Sequence, residues 1–208
     1  MSDEVLDRGL SALGLQLPED ALTLLRRYAA LLEKWNRVYN LTAIREPEKI
    51  MTHHLLDSLA VLPHLPAGAL ADIGSGGGLP GIPIAIAQRG RAVALVEPNA
   101  KKAAFLRQAA IELSLANIHV YESRAEDLHP ASAFDVVISR AFAELADFVA
   151  ACRHLVASSG ELLAMKGMFP RQEIDRLPPE VEMREVRALQ VPFLEGERHL
   201  VRMGLGPA

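Results

Sequence analysis

The 208-residue sequence has very little cysteine, and this scarcity excludes several kinds of site. Its single cysteine, Cys152, cannot form an internal disulfide, and no cysteine and histidine spacing matches a zinc site. Cys152 lies in the apolar stretch "VAACRHLVA", so we interpret it as a packed core residue and not as a nucleophile. We therefore expect no bound metal.

Long apolar runs and targeting signals are missing as well. No run reaches the roughly 18 apolar residues that a membrane span needs. The first residues, "MSDEVLDRGL", lack the basic and apolar regions of a signal peptide. We therefore expect a cytoplasmic protein that binds no membrane, with a monomer as the default state.

The first third of the chain has the periodicity of helices. In "PEDALTLLRRYAALLEKWNRVYN" the apolar residues recur at spacings of three and four, and a second helix is predicted over 47–61, with Pro47 at its start. We predict a helical extension over 1–66, packed on the domain that follows it.

From residue 67 onward, short apolar runs alternate with helical stretches. The predicted strands are "ALADI", "AVALVE", "IHVYES", "FDVVIS" and "ELLAMK", and the predicted helices cover 79–88, 99–115 and 142–157. This alternation predicts an α/β, Rossmann-like fold over 67–208, whose parallel sheet has helices on both faces. The last runs, "VEMREVRALQV" and "RHLVRM", have no helix between them and indicate an antiparallel hairpin at the sheet edge, which makes seven strands.

A glycine-rich loop, "ADIGSGGGLPGIP", joins the first strand to the next helix, where ligands bind in open parallel sheets. Gly76, Gly78 and Gly81 match the dinucleotide pattern G-x-G-x-x-G. Asp72, Gly74 and Gly76 instead match D-x-G-x-G, the loop of S-adenosylmethionine (SAM) enzymes. The Asp72 carboxylate could meet the cationic amino group of the methionine moiety and would repel a pyrophosphate, which favours SAM over NAD.

Acidic residues at the next two strand ends fit a nucleoside. Glu97 ends the second strand, where an acid can accept both ribose hydroxyls of either cofactor. The third strand is followed by "SRAEDL", which in SAM enzymes flanks the adenine, so Ala125 and Glu126 are candidate contacts.

The fourth strand ends in "VVISRAFAEL", beside the expected position of the transferred methyl group. The stretch lacks the Asn/Asp-Pro-Pro-aromatic sequence of exocyclic-amine methyltransferases, and no cysteine stands there for attack on cytosine C5. A cation and an aromatic remain, which suit a nucleophile that needs alignment and no deprotonation, such as guanine N7. Arg140 would fix the base edge or a phosphate, Phe142 would stack or pack, and Lys166 in "AMKGMF" would contact RNA.

The sequence resembles the bacterial ribosomal RNA small-subunit methyltransferase G family, also called glucose-inhibited division protein B. The resemblance rests on "WNRVYNLTAI", "HHLLDSL", "DIGSGGGLPGIPIAI", "KKAAFLRQ", "VISRAFA", "LLAMKG" and "VPFLEGERHLV". It implies a class I methyltransferase fold with a helical extension. It also implies SAM-dependent, in-line N7 methylation of one 16S rRNA guanine near the decoding site, without a required general base. The implied cofactor contacts are Gly74, Leu79, Ala125, Glu126 and Arg140.

Two further patterns lead to structural expectations. The net charge is −4, yet residues 89–107 carry five basic side chains against Glu97, and we expect a local basic rim there together with Arg140, Lys166 and Arg171. In "HHLLDSL", His54 and Asp57 lie three residues apart, so they share a helix face and could form a hydrogen-bonded pair. We interpret this stretch as a polar pin between the extension and the sheet. Asn40 and Thr42 either cap a helix or approach the substrate.

Three other functions stay open on the residues alone. An NAD-dependent oxidoreductase would need a catalytic acid or base near the nicotinamide, and no such arrangement is visible at the strand ends. A non-catalytic SAM-binding regulator would not need the residues around Arg140. A small-molecule methyltransferase would share the fold and would act on a free metabolite instead of RNA.

Overall fold

Seven strands form a single sheet in this computed structural model, which describes residues 2–140, 142 and 144–206. The strands are β1 (Leu70–Ile73), β2 (Val93–Val96), β3 (Ile118–Tyr121), β4 (Phe134–Arg140), β5 (Val156–Lys166), β6 (Val181–Ala188) and β7 (His199–Leu205). Their order is β3-β2-β1-β4-β5-β7-β6, and β1 to β5 are parallel. Strand β7 pairs antiparallel with both β5 and β6. The predicted mostly parallel, seven-stranded sheet with an antiparallel edge hairpin is confirmed.

Eight α-helices surround the sheet in the described part of the chain. They are α1 (Ser2–Ala12), α2 (Glu19–Tyr39), α3 (Pro47–Ile50), α4 (Asp57–Leu59), α5 (Gly81–Ala87), α6 (Ala100–Glu112), α7 (Leu145–Cys152) and α8 (Arg171–Ile174). The helix predicted over 47–61 is not uniform, because a π-helical stretch, Met51–Leu56, joins α3 to α4. Within these residues, no helix combines the length and apolarity that crossing a bilayer requires.

The helix predicted over 142–157 is shorter than expected. It ends at Cys152, because strand pairing begins soon afterwards: the Leu155 carbonyl accepts the Phe134 amide at 2.8 Å. Ala143, inside the predicted range, lies outside the described residues, as does Ala141 of the Ser139–Phe142 motif. Cys152 is buried, which confirms its interpretation as a core residue.

Alternating strand residues supply two apolar cores, one on each face of the sheet. On β1, Leu70 belongs to one core, while Ala71 and Ile73 belong to the other. The first core also contains residues of α1, α2 and the π-helical stretch, and the second contains α7. The helices of the N-terminal extension therefore cover the first face and are continuous with the sheet's own core.

Tyr28 links the extension to the glycine-rich loop. Its side chain on α2 is fully buried, and its hydroxyl donates to the Gly77 carbonyl at 2.5 Å. Leu32, one turn further along α2, lies so close that a Cβ at Gly77 would come within 2.9 Å of its Cδ1 atom. The loop is thus seated directly on a helix of the extension.

We predict that Tyr28→Phe lowers the free energy of unfolding by about 1–3 kcal/mol, because it leaves the buried Gly77 carbonyl without its donor. Tyr39→Phe is the matched control, since Tyr39 lies on the same helix and is 39% exposed. Chemical denaturation of both variants measures the difference. Equal stabilities would contradict a structural role for the Tyr28 hydroxyl.

Candidate functional site

The glycine-rich loop forms an open backbone cradle at the end of β1. Gly74, Gly76 and Gly78 have positive φ angles of 68°, 55° and 90°, a conformation that costs glycine least. A Cβ at Gly74 would meet nothing within 4 Å, and one at Gly76 would meet only the Gly74 carbonyl oxygen, at 3.8 Å. The space above these two residues is therefore open to a ligand that lies against the backbone.

Glu97 holds the cradle from the end of β2. Its Oε2 atom accepts the Gly76 amide at 2.8 Å, and its Oε1 atom accepts the Asn99 amide at 2.9 Å. Each carboxylate oxygen has a second lone pair, so these bonds leave acceptor capacity for a hydroxyl. The sequence predicts a ribose contact for Glu97, and its bond to the Gly76 amide shows that the same carboxylate also shapes the loop.

Asp72 lies beneath the loop. Its carboxylate is fully buried, and Oδ2 accepts the Gly81 amide at the start of α5 at 2.9 Å. Its Oδ1 atom is buried and has no hydrogen-bond partner among the described residues. Burial raises the pKa of Asp72 to about 7, although the Gly81 amide and the charge of Arg140 act in the opposite direction.

The other predicted cofactor contacts lie around the cradle with different exposures. Leu79 is buried, and its amide donates to the Ser75 carbonyl at 3.0 Å within the loop. Ala125 is buried just beyond β3, and Glu126 beside it is exposed. Because β1, β2 and β3 are parallel, their carboxyl ends bring these segments to the same edge of the sheet.

Arg140, at the carboxyl end of β4, is held by the N-terminal extension. Its Nη1 atom donates to the His53 carbonyl at 3.0 Å and to Asp57 Oδ2 at 3.2 Å. The other oxygen of this buried carboxylate, Oδ1, accepts Nε of Arg198 at 3.1 Å. The predicted polar pin is confirmed, with Asp57 as its centre.

The predicted hydrogen bond between His54 and Asp57 is wrong. His54 Nε2 lies 2.7 Å from the Thr42 hydroxyl, and its Nδ1 lies 3.4 Å from Arg140 Nη1. Burial, with a further contribution from the Arg140 charge, lowers the pKa of His54 to about 4, so the ring is neutral at pH 7. Asn40, whose role was open, ends α2 in the left-handed conformation.

Lys166, at the end of β5, is already engaged by the protein. Its Nζ atom lies 2.6 Å from Glu173 Oε2 and donates to the Phe142 carbonyl at 3.0 Å. The Phe142 ring packs 5.4 Å from that of Phe148, which agrees with a packing role. Lys166 therefore lines the same pocket as Arg140, and its charge is paired with the largely buried Glu173.

The local basic rim expected from residues 89–107 is formed only in part, because the segment runs from the amino ends of the parallel strands to their carboxyl ends. Lys101 and Lys102 begin α6 directly after β2, at the carboxyl edge. Arg89 and Arg91 precede β2 and bind backbone carbonyls at the opposite edge, and Arg107 forms an ion pair with Glu122. Lys101 and Lys102 therefore lie at the same ends of the strands as the cradle, in the first turn of the helix that follows Glu97.

A pocket of about 350 Å³ opens at the carboxyl ends of β4 and β5. Its lining includes His53, Asp57, Arg140, Lys166 and Arg198. Arg198 is not among the residues predicted from the sequence. It lies 141 residues from Asp57, and the one signal for it is its place in the family stretch "GERHLV". In the part of the chain that the structure describes, no three histidine, cysteine, aspartate or glutamate side chains are grouped as metal ligands.

Known proteins that resemble this chain in sequence, and one that resembles it in structure, are methyltransferases. The family profile described as rRNA small subunit methyltransferase G matches residues 21–201. The chain is 53% identical over 206 residues to ribosomal RNA small subunit methyltransferase G of Aromatoleum aromaticum, covering 97% of this chain and 98% of that protein. For the protein of the same name from Chromobacterium violaceum, identity is 52% over 201 residues, or 96% of each chain. A SAM dependent methyltransferase from Aquifex aeolicus superposes with a TM-score of 0.60 at 12% identity, covering 84% of this chain and 97% of that one, which shows a class I methyltransferase fold.

We predict that Asp72 makes the protein less stable as the pH rises from about 4 to about 7. Its folded pKa of about 7 exceeds the ordinary 3.8, so in this window the folded state binds more protons than the unfolded state. Stability present at low pH is therefore lost as the pH rises, by up to about 1.4 kcal/mol per pH unit. Denaturation of the wild type and Asp72→Asn at pH 5 and pH 7.5 should show a smaller decrease in the variant.

Asp135→Asn is the matched control, because the exposed Asp135 also accepts a backbone amide, that of Ala69, at 2.7 Å. A pH dependence in Asp72→Asn as steep as in the wild type would show that another group is responsible.

Proposed function

Because the chain belongs to the rRNA small subunit methyltransferase G family, we propose that it is a SAM-dependent methyltransferase that modifies N7 of one guanine in 16S rRNA. The observation that carries the proposal is identity above 50% over nearly the whole length of both chains. The matched length, 96–97% of this chain, is long enough to include the extension, the cradle and the pocket. The same similarity disfavours the NAD-dependent and small-molecule alternatives.

The cradle fits the proposed cofactor. Open space above Gly74 and Gly76 accepts a ligand against the backbone, and the Asp72 carboxylate beneath it, whose Oδ1 has no partner among the described residues, is proposed to attract the ligand's cationic amino group. We propose that the cofactor is held by Asp72, Gly74, Gly76, Leu79, Glu97, Ala125, Glu126 and Arg140. When bound there, SAM supplies an electrophilic methyl group.

The chain's own residues are proposed to orient the base and not to remove a proton. Guanine N7 carries a lone pair and no proton, so transfer in line with the methyl group needs alignment and no general base. Arg140 is suited to this role because Asp57 and the His53 carbonyl restrict its guanidinium. Lys166, paired with Glu173, is proposed to contact RNA from the neighbouring strand end.

RNA binding by an acidic chain requires local basic surface at the substrate edge. Lys101 and Lys102 provide such surface beside the cradle, and Arg171 is exposed on α8, which follows β5. We further propose that the protein acts as a cytoplasmic monomer, with residues 1–66 as an extension of a methyltransferase domain over 67–208.

The direct test is methyl transfer from labelled SAM to small-subunit rRNA, followed by nuclease digestion and identification of the methylated nucleoside by mass spectrometry. We expect 7-methylguanosine at one position. A different methylated nucleoside would contradict the N7 assignment, and transfer to a free metabolite but not to rRNA would support the small-molecule alternative.

We predict that Gly74→Ala weakens SAM binding at least about tenfold, because its Cβ enters the open cradle and a φ of 68° strains alanine by about 1–2 kcal/mol. Gly90→Ala is the control, since a Cβ there also meets nothing within 4 Å and its φ is not positive. Calorimetric titration with SAM, S-adenosylhomocysteine and NAD measures both variants. Binding of NAD without either SAM compound would refute the cofactor assignment.

We predict that Lys101→Glu with Lys102→Glu weakens rRNA binding and leaves SAM affinity unchanged. Each lost phosphate contact should also reduce the magnitude of the salt-dependence slope by about 0.7. Arg89→Glu with Arg153→Glu makes the same charge change at exposed positions away from the cradle and serves as the control. If both double variants bind RNA equally across a salt titration, the two lysines are not the RNA-binding surface.

A further inference from the structure

The pocket beside Arg140 has the size of a small-molecule site and is built from five segments of the chain. Its volume of about 350 Å³ is near the lower end of the roughly 300–1,000 Å³ typical of ligand pockets. It is lined by Ile44, by residues 53–57 where the π-helical stretch passes into α4, by the ends of β4 and β5, and by Arg198 before β7. A pocket of this size accepts a single nucleotide and is too small for base-paired, stacked RNA.

Cationic groups outnumber anionic groups in this pocket. Asp57 is the one carboxylate in the described lining, and it faces two guanidinium groups, those of Arg140 and Arg198. Lys166 is neutralised by Glu173 outside the lining, and His54 contributes no charge at pH 7 because burial lowers its pKa. The described lining therefore carries a surplus of one positive charge, which attracts an anionic group.

The two arginines retain donors for that group. Arg198 uses Nε on Asp57 and Nη1 on the Glu197 carbonyl, at 3.1 and 2.7 Å, out of five N–H groups. The side chain of Arg198 is 26% exposed and that of Arg140 is 21% exposed, so both reach the pocket surface. Planar guanidinium groups bind phosphate oxygens through two parallel hydrogen bonds, which makes phosphate the best-matched anion.

The π-helical stretch determines where Arg140 is held. The Asp57 amide donates to the carbonyls of Thr52 and His54 and skips that of His53. The His53 carbonyl instead accepts Arg140 Nη1, next to the bond from Asp57. One short segment of the extension thus supplies both acceptors that orient this guanidinium.

We propose that Asp57 is a positioning residue that holds Arg140 and Arg198 as a cationic pair, and that this pair binds the phosphate of the RNA nucleotide whose base enters the pocket. The inference rests on the proposed function and adds Arg198 as a substrate-binding residue. An enzyme that takes a base out of its stack must also hold the extruded nucleotide, and a phosphate clamp beside the cradle would do so.

The test compares guanosine 5′-monophosphate with guanosine as probes, titrated into protein saturated with S-adenosylhomocysteine so that the cradle is blocked. We expect the wild type to bind the monophosphate about tenfold or more tightly than guanosine, the value of one charge-assisted hydrogen bond. Arg198→Gln should abolish the preference, and Arg198→Lys should restore part of it. Arg187→Gln, at an exposed position on edge strand β6, is the control and should keep it.

Asp57→Asn tests the positioning role with a nearly isosteric side chain. We expect it to reduce the preference for the monophosphate, and we expect little further reduction when Arg198→Gln is added, because both changes act on the same clamp. If Asp57→Asn does not fold, the arginine series decides alone. Equal binding of the two probes by the wild type, or an unchanged preference in Arg198→Gln, would overturn the proposal.

Methyl transfer to rRNA is measured in parallel, so that the two proposals are separable. A monophosphate preference that depends on Arg198, in a protein that methylates no rRNA, would support the clamp and refute the proposed function. Active methyl transfer with a preference unaffected by Arg198→Gln would support the function and overturn the clamp.

Discussion

The shape of the glycine-rich loop depends on hydrogen bonds that come from elsewhere in the chain. A glycine-rich backbone that leaves its upper side open to a ligand has few side chains of its own to hold it, and those of Asp72 and Ser75 bind within the loop. Tyr28 binds the Gly77 carbonyl, Glu97 binds the Gly76 amide, and Asp72 binds the Gly81 amide. The cradle is therefore a joint product of the extension and of the first two strands, and each contact leaves the ligand side clear.

At the end of β4, too, a residue of the sheet is held by groups from another part of the chain. Arg140 belongs to the methyltransferase sheet, but the groups that orient it, Asp57 and the His53 carbonyl, belong to the extension. A half-buried guanidinium without these acceptors would be free to adopt many rotamers. We infer that the extension is an integral part of the site, which agrees with the apolar core that it shares with the sheet.

Local patterns predict the parts of this structure that depend on neighbours in sequence. The alternation of strands and helices, the edge hairpin and the glycine-rich loop are all legible in short stretches, because each depends on periodicity or on glycine. The link between Asp57 and Arg198 spans 141 residues and leaves no local signal. The family resemblance marked both stretches without showing that they meet.

The errors have equally physical causes. The basic segment 89–107 does not form one surface, because β2 carries the chain from one end of the parallel strands to the other, and a charge count along the sequence ignores that path. The His54–Asp57 pair looked sound because helix spacing assumes a regular turn, whereas Met51–Leu56 is π-helical. For the basic segment and for the histidine alike, the sequence identifies residues that form polar contacts. Spacing along the sequence does not predict which partners they contact.

The position of β7 has a consequence for biogenesis. This strand comes last among the described strands, yet it lies inside the sheet, between β5 and β6. Until residues 199–205 are available, β5 presents an unpaired edge, and such an edge is a template for association with other chains. During synthesis the nascent protein must therefore keep an incomplete sheet from aggregating until its final segment inserts, and a chain stopped just short of that segment would lose an interior strand, not a dispensable tail.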